Sequence, residues 1–225
     1  MQEHEPAGRP GTFRRIAHEL RHHVPFTIFG AVTGILIAVA FVYTRMPPRA
    51  SHGLFMVFHP AHVLLSTVVT TAMFRLHARR GFVATLLVGY VGSVGIGTLS
   101  DSLIPYVSEL LLQAHDQHIH AHVHLGFIEE WYLVNPAALV GIALAYWRPK
   151  TRMPHAGHVL VSTWASLSHI LMSAGSENIG GWTLAAVPVI LFVAVWVPCC
   201  TSDIVFPLLF AGGDGQRAPV QDGVS

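Results

Sequence analysis

Charge is what this sequence has least of. Only 11% of its 225 residues are charged and 52% are hydrophobic, whereas a soluble domain carries about 25% charged residues. The apolar residues fall in long blocks, so the shortage points to a polytopic membrane protein rather than a soluble domain. A formal net charge of +1 excludes the strongly basic surface that nucleic-acid binding requires. Cysteine is nearly absent: Cys199 and Cys200 are adjacent, and neighbouring cysteines bridge each other only with strain. No disulfide framework is therefore expected. The polar, basic residues 1–23 show no early apolar core, so no cleavable signal peptide is read there. Neither a Walker loop nor a His-Glu-x-x-His motif is found, which argues against direct use of ATP and against the common zinc-protease chemistry. The ten-residue alternation of a membrane barrel is also missing.

Histidine is what the chain has in excess, 16 residues against 13 Lys plus Arg. Several of them belong to a hidden duplication. His59-Pro60-Ala61-His62-Val63-Leu64-Leu65-Ser66-Thr67 recurs as His155-Ala156-Gly157-His158-Val159-Leu160-Val161-Ser162-Thr163. Upstream, Gly34-Ile35 with Thr44-Arg45-Met46-Pro47 recurs as Gly141-Ile142 with Thr151-Arg152-Met153-Pro154. Downstream, Ser100-Asp101 with Pro105 recurs as Ser202-Asp203 with Pro207. Chance similarity between apolar stretches is common, but His, Asp, Arg and Pro matching in a fixed order is not.

Six apolar segments are read, at about residues 24–43, 54–74, 82–106, 125–147, 158–174 and 182–210. Each can form a helix of about 20 residues, enough for a hydrocarbon core of about 30 Å. The expected fold is all-α and polytopic, with six transmembrane helices. Its parts are an N-terminal tail (1–23), a three-helix repeat (24–112), a His-rich outer loop (113–124), a second three-helix repeat (125–211) and a C-terminal tail (212–225). Arg9, Arg14, Arg15, Arg21, Arg75, Arg79, Arg80, Arg148, Lys150 and Arg152 gather on one side. The positive-inside rule makes that side cytoplasmic, with both termini. An odd number of spans per repeat then inverts the halves, an architecture similar to that of many secondary transporters. A plasma membrane of the bacterial inner-membrane kind is the expected location.

The duplicated segment carries candidate metal ligands. His59 and His62, spaced i and i+3, share one helix face, and Ser66 and Thr70 continue it. His155, His158, Ser162 and Ser166 form the same stripe, which His169 extends. Imidazole suits zinc, iron, nickel and copper, and carboxylates can complete the shell. Asp101 and Asp203 lie late in apolar spans, each four residues before a proline that can break the helix and free carbonyls. A carboxylate placed there must be paired, protonated or metal-bound. Topology sorts these groups into two sites. The outer one takes His59, His62, Asp101, Glu129 and Glu130. The inner one takes His155, His158, Cys199, Cys200 and Asp203, with His22 and His23 nearby. Between the halves, His115, His118, His120, His122 and His124 form a His-rich tract of the kind that binds divalent metals.

These features point to a transporter of a divalent metal ion: zinc first, with iron, nickel, cobalt or manganese as alternatives. Its partners are the lipid bilayer and the ion. A six-helix unit is small for a transporter and fits assembly as a homodimer. A second class is a membrane metalloenzyme. His18-x-x-x-His22-His23 resembles one of the His boxes of membrane di-iron desaturases and hydroxylases, and that resemblance implies an oxidase or hydroxylase. A zinc hydrolase would instead use Asp101 or Glu130 as a base beside a His-bound water. A haem protein would use His59 or His169 as axial ligands.

Overall fold

In a computed structural model the described residues are 12–45, 47–78, 80–113, 121–149, 152–174 and 181–211, and among them the regular structure is entirely helical. The long helices are α1 (Thr12–Thr44), α2 (Pro48–His77), α3 (Phe82–Thr98), α6 (Trp131–Trp147), α7 (Arg152–Ala174) and α8 (Gly181–Cys200). Shorter ones are α4 (Ile104–Gln113), α5 (Gly126–Glu129) and α9 (Phe206–Ala211). Leu99–Leu103 joins α3 to α4 as a first π turn, and Thr201–Val205 joins α8 to α9 as a second.

Local chemistry accounts for the ends and irregularities. A proline occupies the first turn of α2, where its missing N–H would have no partner anyway. Arg75 and His77 lie in the last turn of α2, where cations oppose the helix dipole, and the Arg75 guanidinium lies 3.9 Å above the Tyr146 ring of α6. The sequence suggested that Pro105 and Pro207 break their helices. Instead each helix widens just before its proline. The Ile104 N–H reaches back five residues to the Leu99 carbonyl, so the missing donor at Pro105 is absorbed by a π turn, a form that often marks functional sites.

Three helical stretches are long and apolar enough to cross a membrane: Arg49–His77, Phe82–Gln113 and Gly181–Cys199. They mark the chain as a membrane protein. Ile28–Thr44 and Trp131–Trp147 are shorter apolar helices. Of the six expected spans, three meet that measure and two more are shorter apolar helices among the described residues. The third apolar segment runs on through the π turn to Gln113 instead of ending at Tyr106. The fifth, α7, is not among the candidate spans, because His158, Ser162, Thr163, Ser166, Ser168 and His169 interrupt its apolar sequence. All six of these residues are buried.

Burial is distributed inside out. Leu36, Leu87 and Val189 are 64%, 58% and 66% exposed, whereas His59, Asp101, Glu109, His158 and His169 are at most 1% exposed. In water such apolar faces would be a liability. Against lipid they cost nothing. One apolar cluster forms where α1, α7 and α8 meet, around Ala38, Phe41, Leu167, Ile170 and Leu191. Another forms where α2, α3 and α6 meet, around Val63, Val94, Val134 and Ala138. Between them α2 packs against α7. Phe55 near the start of α2 meets His169 near the end of α7, and His62 meets His158 further along. The two copies of the duplicated segment therefore run antiparallel, with their polar stripes turned to each other.

Candidate metal centre

Asp101, held in the first π turn, is the hub of the buried polar groups. Its Oδ2 accepts from Nδ1 of His59 at 2.9 Å and from Nδ1 of His62 at 2.6 Å. Its Oδ1 accepts from the hydroxyls of Ser100 at 2.8 Å and Ser162 at 2.9 Å. A carboxylate offers about four acceptor positions, so all are taken. Burying such a group without partners costs several kcal/mol, while each hydrogen bond to a charged group returns about 1.5–3 kcal/mol. Four of them are enough to hold it in place.

This network also sets the tautomers. A carboxylate only accepts, so both imidazoles carry a proton on Nδ1, and in the neutral ring Nε2 of each keeps its lone pair. Metal-binding histidines usually show this arrangement, with a carboxylate on one nitrogen and the ion on the other. His62 Nε2 lies 3.8 Å from Cys199 Sγ. The ligand atoms of His62, His158 and Cys199 all lie within 4.8 Å of one another. Zinc bonded at about 2.0–2.1 Å to nitrogen and 2.3 Å to sulfur separates the two donors by about 3.6 Å. A small closure would therefore complete a His-His-Cys site.

Asp101, expected among the ligands, bonds the two imidazoles that were expected beside it. His62 and His158, assigned to sites at opposite faces, stack with ring centroids 5.5 Å apart. Apolar periodicity shows which face of a helix is polar but not how far its partner helix slides along it, so the separation into outer and inner sites could not be tested from spacing.

Each π turn also meets the stripe of the other half through hydroxyls, the first that of α7 and the second that of α2. Ser162 lies 3.4 Å from Ser100, and its counterpart Ser66 lies 3.2 Å from Ser202. Ser166 donates to the Ser100 carbonyl at 3.0 Å, and its counterpart Thr70 to the Ser202 carbonyl at 3.3 Å. Gly34 and Gly141 lie against Thr163 and Thr67 respectively, residues that also correspond in the duplication.

A second polar group lies where the chain enters α5. His124 hydrogen-bonds Glu130 through Nε2 at 2.8 Å, and its Nδ1 lies 2.9 Å from Glu129 Oε2. Burial pushes the His124 imidazole below its ordinary value, against the opposing pull of Glu130 and Glu129. His52, on the first turns of α2, completes a set with His124 and Glu130 whose ligand atoms also lie within 4.8 Å of one another. Phe55 separates the two groups, stacked on His59 with centroids 5.0 Å apart and edge-on to His124 at 5.0 Å. A third pair is fully enclosed. Glu109 accepts from His169 Nδ1 and from the Ser173 hydroxyl, each at 2.8 Å.

His52 and Glu109 escaped the sequence reading. His52 lies seven residues before His59, two turns along the same stripe, and that spacing was the available signal. Glu109 lay beyond the assumed end of the third apolar segment. His122 is exposed, with its ring centroid 6.3 Å from that of His124. His115, His118 and His120 lie outside the described residues. The side chains of His22, His23, His155, Cys200 and Asp203 do too, although their backbones belong to α1, α7, α8 and the second π turn. No protein-family model, curated protein or solved structure matches this chain.

Proposed function

We propose that the chain is an integral membrane carrier of a divalent transition-metal ion, zinc first. Its architecture would be six transmembrane helices in two inverted three-helix repeats, with the ion crossing at the seam between them. The observation that carries this reading is the buried group of His62, His158 and Cys199, within 4.8 Å of one another. One ligand comes from the first half and two from the second, so an ion bound there would hold the halves together and its release would let them part. Two imidazoles and a thiol suit zinc or a softer ion, not magnesium or calcium, which take oxygen. The antiparallel α2 and α7 and the matched hydroxyl contacts support the inverted repeat. The arginine distribution supports cytoplasmic termini in a bacterial inner membrane.

Three protein ligands with a fourth position left over also fit a membrane zinc hydrolase. One experiment separates the two. Protein in sealed vesicles containing a zinc-sensitive dye should give saturable zinc entry above that of protein-free vesicles. Bound zinc with no entry would favour the enzyme and defeat the carrier.

A further inference from the structure

We infer that His52, His124 and Glu130 form a second divalent-cation site, a loading position at the mouth of the path, with Glu129 holding His124 in place for it. The binding stands on its own geometry. It rests on the carrier reading only for where the ion goes next.

The argument begins at His124. Its Nε2 is 2.8 Å from Glu130 Oε2, and the two donors of a tetrahedral zinc lie about 3.3 Å apart at bond lengths of about 2.0–2.1 Å. An ion can therefore replace the shared proton with little movement, releasing that proton as it binds. The other nitrogen is held from behind. Glu129 Oε2 lies 2.9 Å from His124 Nδ1, and Glu129 Oε1 accepts the Leu125 N–H at 2.9 Å. Both oxygens of Glu129 are thus engaged in orienting the ring, as Asp101 orients His59 and His62. At both polar groups a carboxylate holds one nitrogen of an imidazole; at His124 the other nitrogen shares its proton with Glu130, the proton the ion would replace. Phe55 fixes the ring plane from one side, and His52 meets it edge-on with centroids 5.9 Å apart. His52 is exposed, so the third ligand can swing to meet an arriving ion. Two imidazoles and one carboxylate leave a position for water, which suits an ion that exchanges readily.

An independent observation points inward from this site. His59 Nε2 is buried without a hydrogen-bond partner, and it lies against Gly126. A Cβ built on Gly126 would fall 2.6 Å from His59 Nε2 and 3.5 Å from Glu130 Oε2. Only glycine at position 126 lets the imidazole and the carboxylate approach the same small space. An ion leaving Glu130 therefore meets the lone pair of a buried imidazole whose other nitrogen shares Asp101 with His62. The loading site has no sulfur ligand and the central group has Cys199, so the two can be told apart by the spectrum of one probe metal.

Cobalt(II) is that probe, titrated into the full chain in detergent. Thiolate-to-cobalt charge transfer in the near ultraviolet reports the central group alone. Cys199→Ser should abolish that band and keep the loading ion. His124→Ala should keep the band and bind one cobalt fewer than the parent chain. His52→Ala changes only an exposed side chain, so folding is not at stake, and it should weaken the band-free ion by at least about 10-fold. Loss of the band with full loss of binding in Cys199→Ser would overturn the loading site. So would an unchanged cobalt count and affinity in both histidine variants. A band-free ion that responds to His52→Ala when no thiolate band ever forms would uphold the loading site and defeat the central group instead.

Discussion

His62 and His158 stack face to face, with ring centroids 5.5 Å apart and planes 5° from parallel. They occupy equivalent places in the duplicated segment. A residue and its own counterpart can touch only near the axis that relates the two copies. In the proposed architecture the stack therefore marks where that axis crosses the bundle, and the nearby thiol of Cys199 puts the candidate ion position beside it. Duplication, antiparallel packing and ligand chemistry converge on one place.

Asp101→Asn should weaken the central metal without removing a ligand. Asparagine cannot accept from two imidazoles and two hydroxyls as a carboxylate does, so both rings lose their fixed orientation. The expected loss is about 10–100-fold in cobalt affinity, with the thiolate band recovered at saturating metal. Cys199→Ser should lose the band at every concentration. Loss of the band in Asp101→Asn even at saturation would make Asp101 a direct ligand.

Ser66 and Ser162 are counterparts with unequal work. Ser66 meets Ser202 only through its hydroxyl. Ser162 also donates to the Asp101 carboxylate at 2.9 Å. Neutral hydrogen bonds contribute about 0.5–1.5 kcal/mol and those to charged groups about 1.5–3 kcal/mol. Denaturation in detergent should show Ser162→Ala more damaging than Ser66→Ala by about 1 kcal/mol. Equal losses would count against the hydrogen-bond network around Asp101.

Gly141→Ala should impair the docking of α6 on α2. The added Cβ would meet Thr67 Oγ1 and lie 2.6 Å from the Leu64 carbonyl oxygen, a backbone atom that cannot turn aside. Overpacking of this kind costs about 1–3 kcal/mol. Gly95→Ala is the control, since nothing lies within 4 Å of its Cβ position. Alanine in a helix interior gains about 0.5–1 kcal/mol over glycine. Thermal unfolding should therefore move in opposite directions in the two variants.

Glu109→Gln should lower stability and leave metal content alone. The pair of Glu109 and His169 is fully buried, and disrupting a buried pair by changing one partner costs up to about 3–5 kcal/mol. Neither residue belongs to a candidate ligand group among the described residues. A drop in bound metal at full folding would draw this pair into the ion path.

The helical class, the outward apolar faces and the polar stripes of α2 and α7 were legible because helical periodicity places i, i+3 and i+7 on one face. Asp101 stood out as a carboxylate in an apolar run. What spacing could not supply was the relative slide of two helices, and that slide decides whether His62 faces His158 or lies a membrane leaflet away from it. Nor could it show that Asp101 would spend all its acceptor positions on side chains. Glu109 was lost to a helix end drawn at Tyr106, because a π turn that absorbs a proline leaves no mark in hydropathy. His52 was lost because α2 begins earlier than its apolar core.

The most direct test of the central claim is the initial rate of zinc entry into sealed vesicles, measured for the parent chain and for His158→Ala at equal protein per vesicle. The account predicts saturable entry in the parent and a rate at the protein-free background in His158→Ala. Entry in His158→Ala within about twofold of the parent, a difference of only about 0.4 kcal/mol in the barrier, would contradict a path through the His62–His158–Cys199 group.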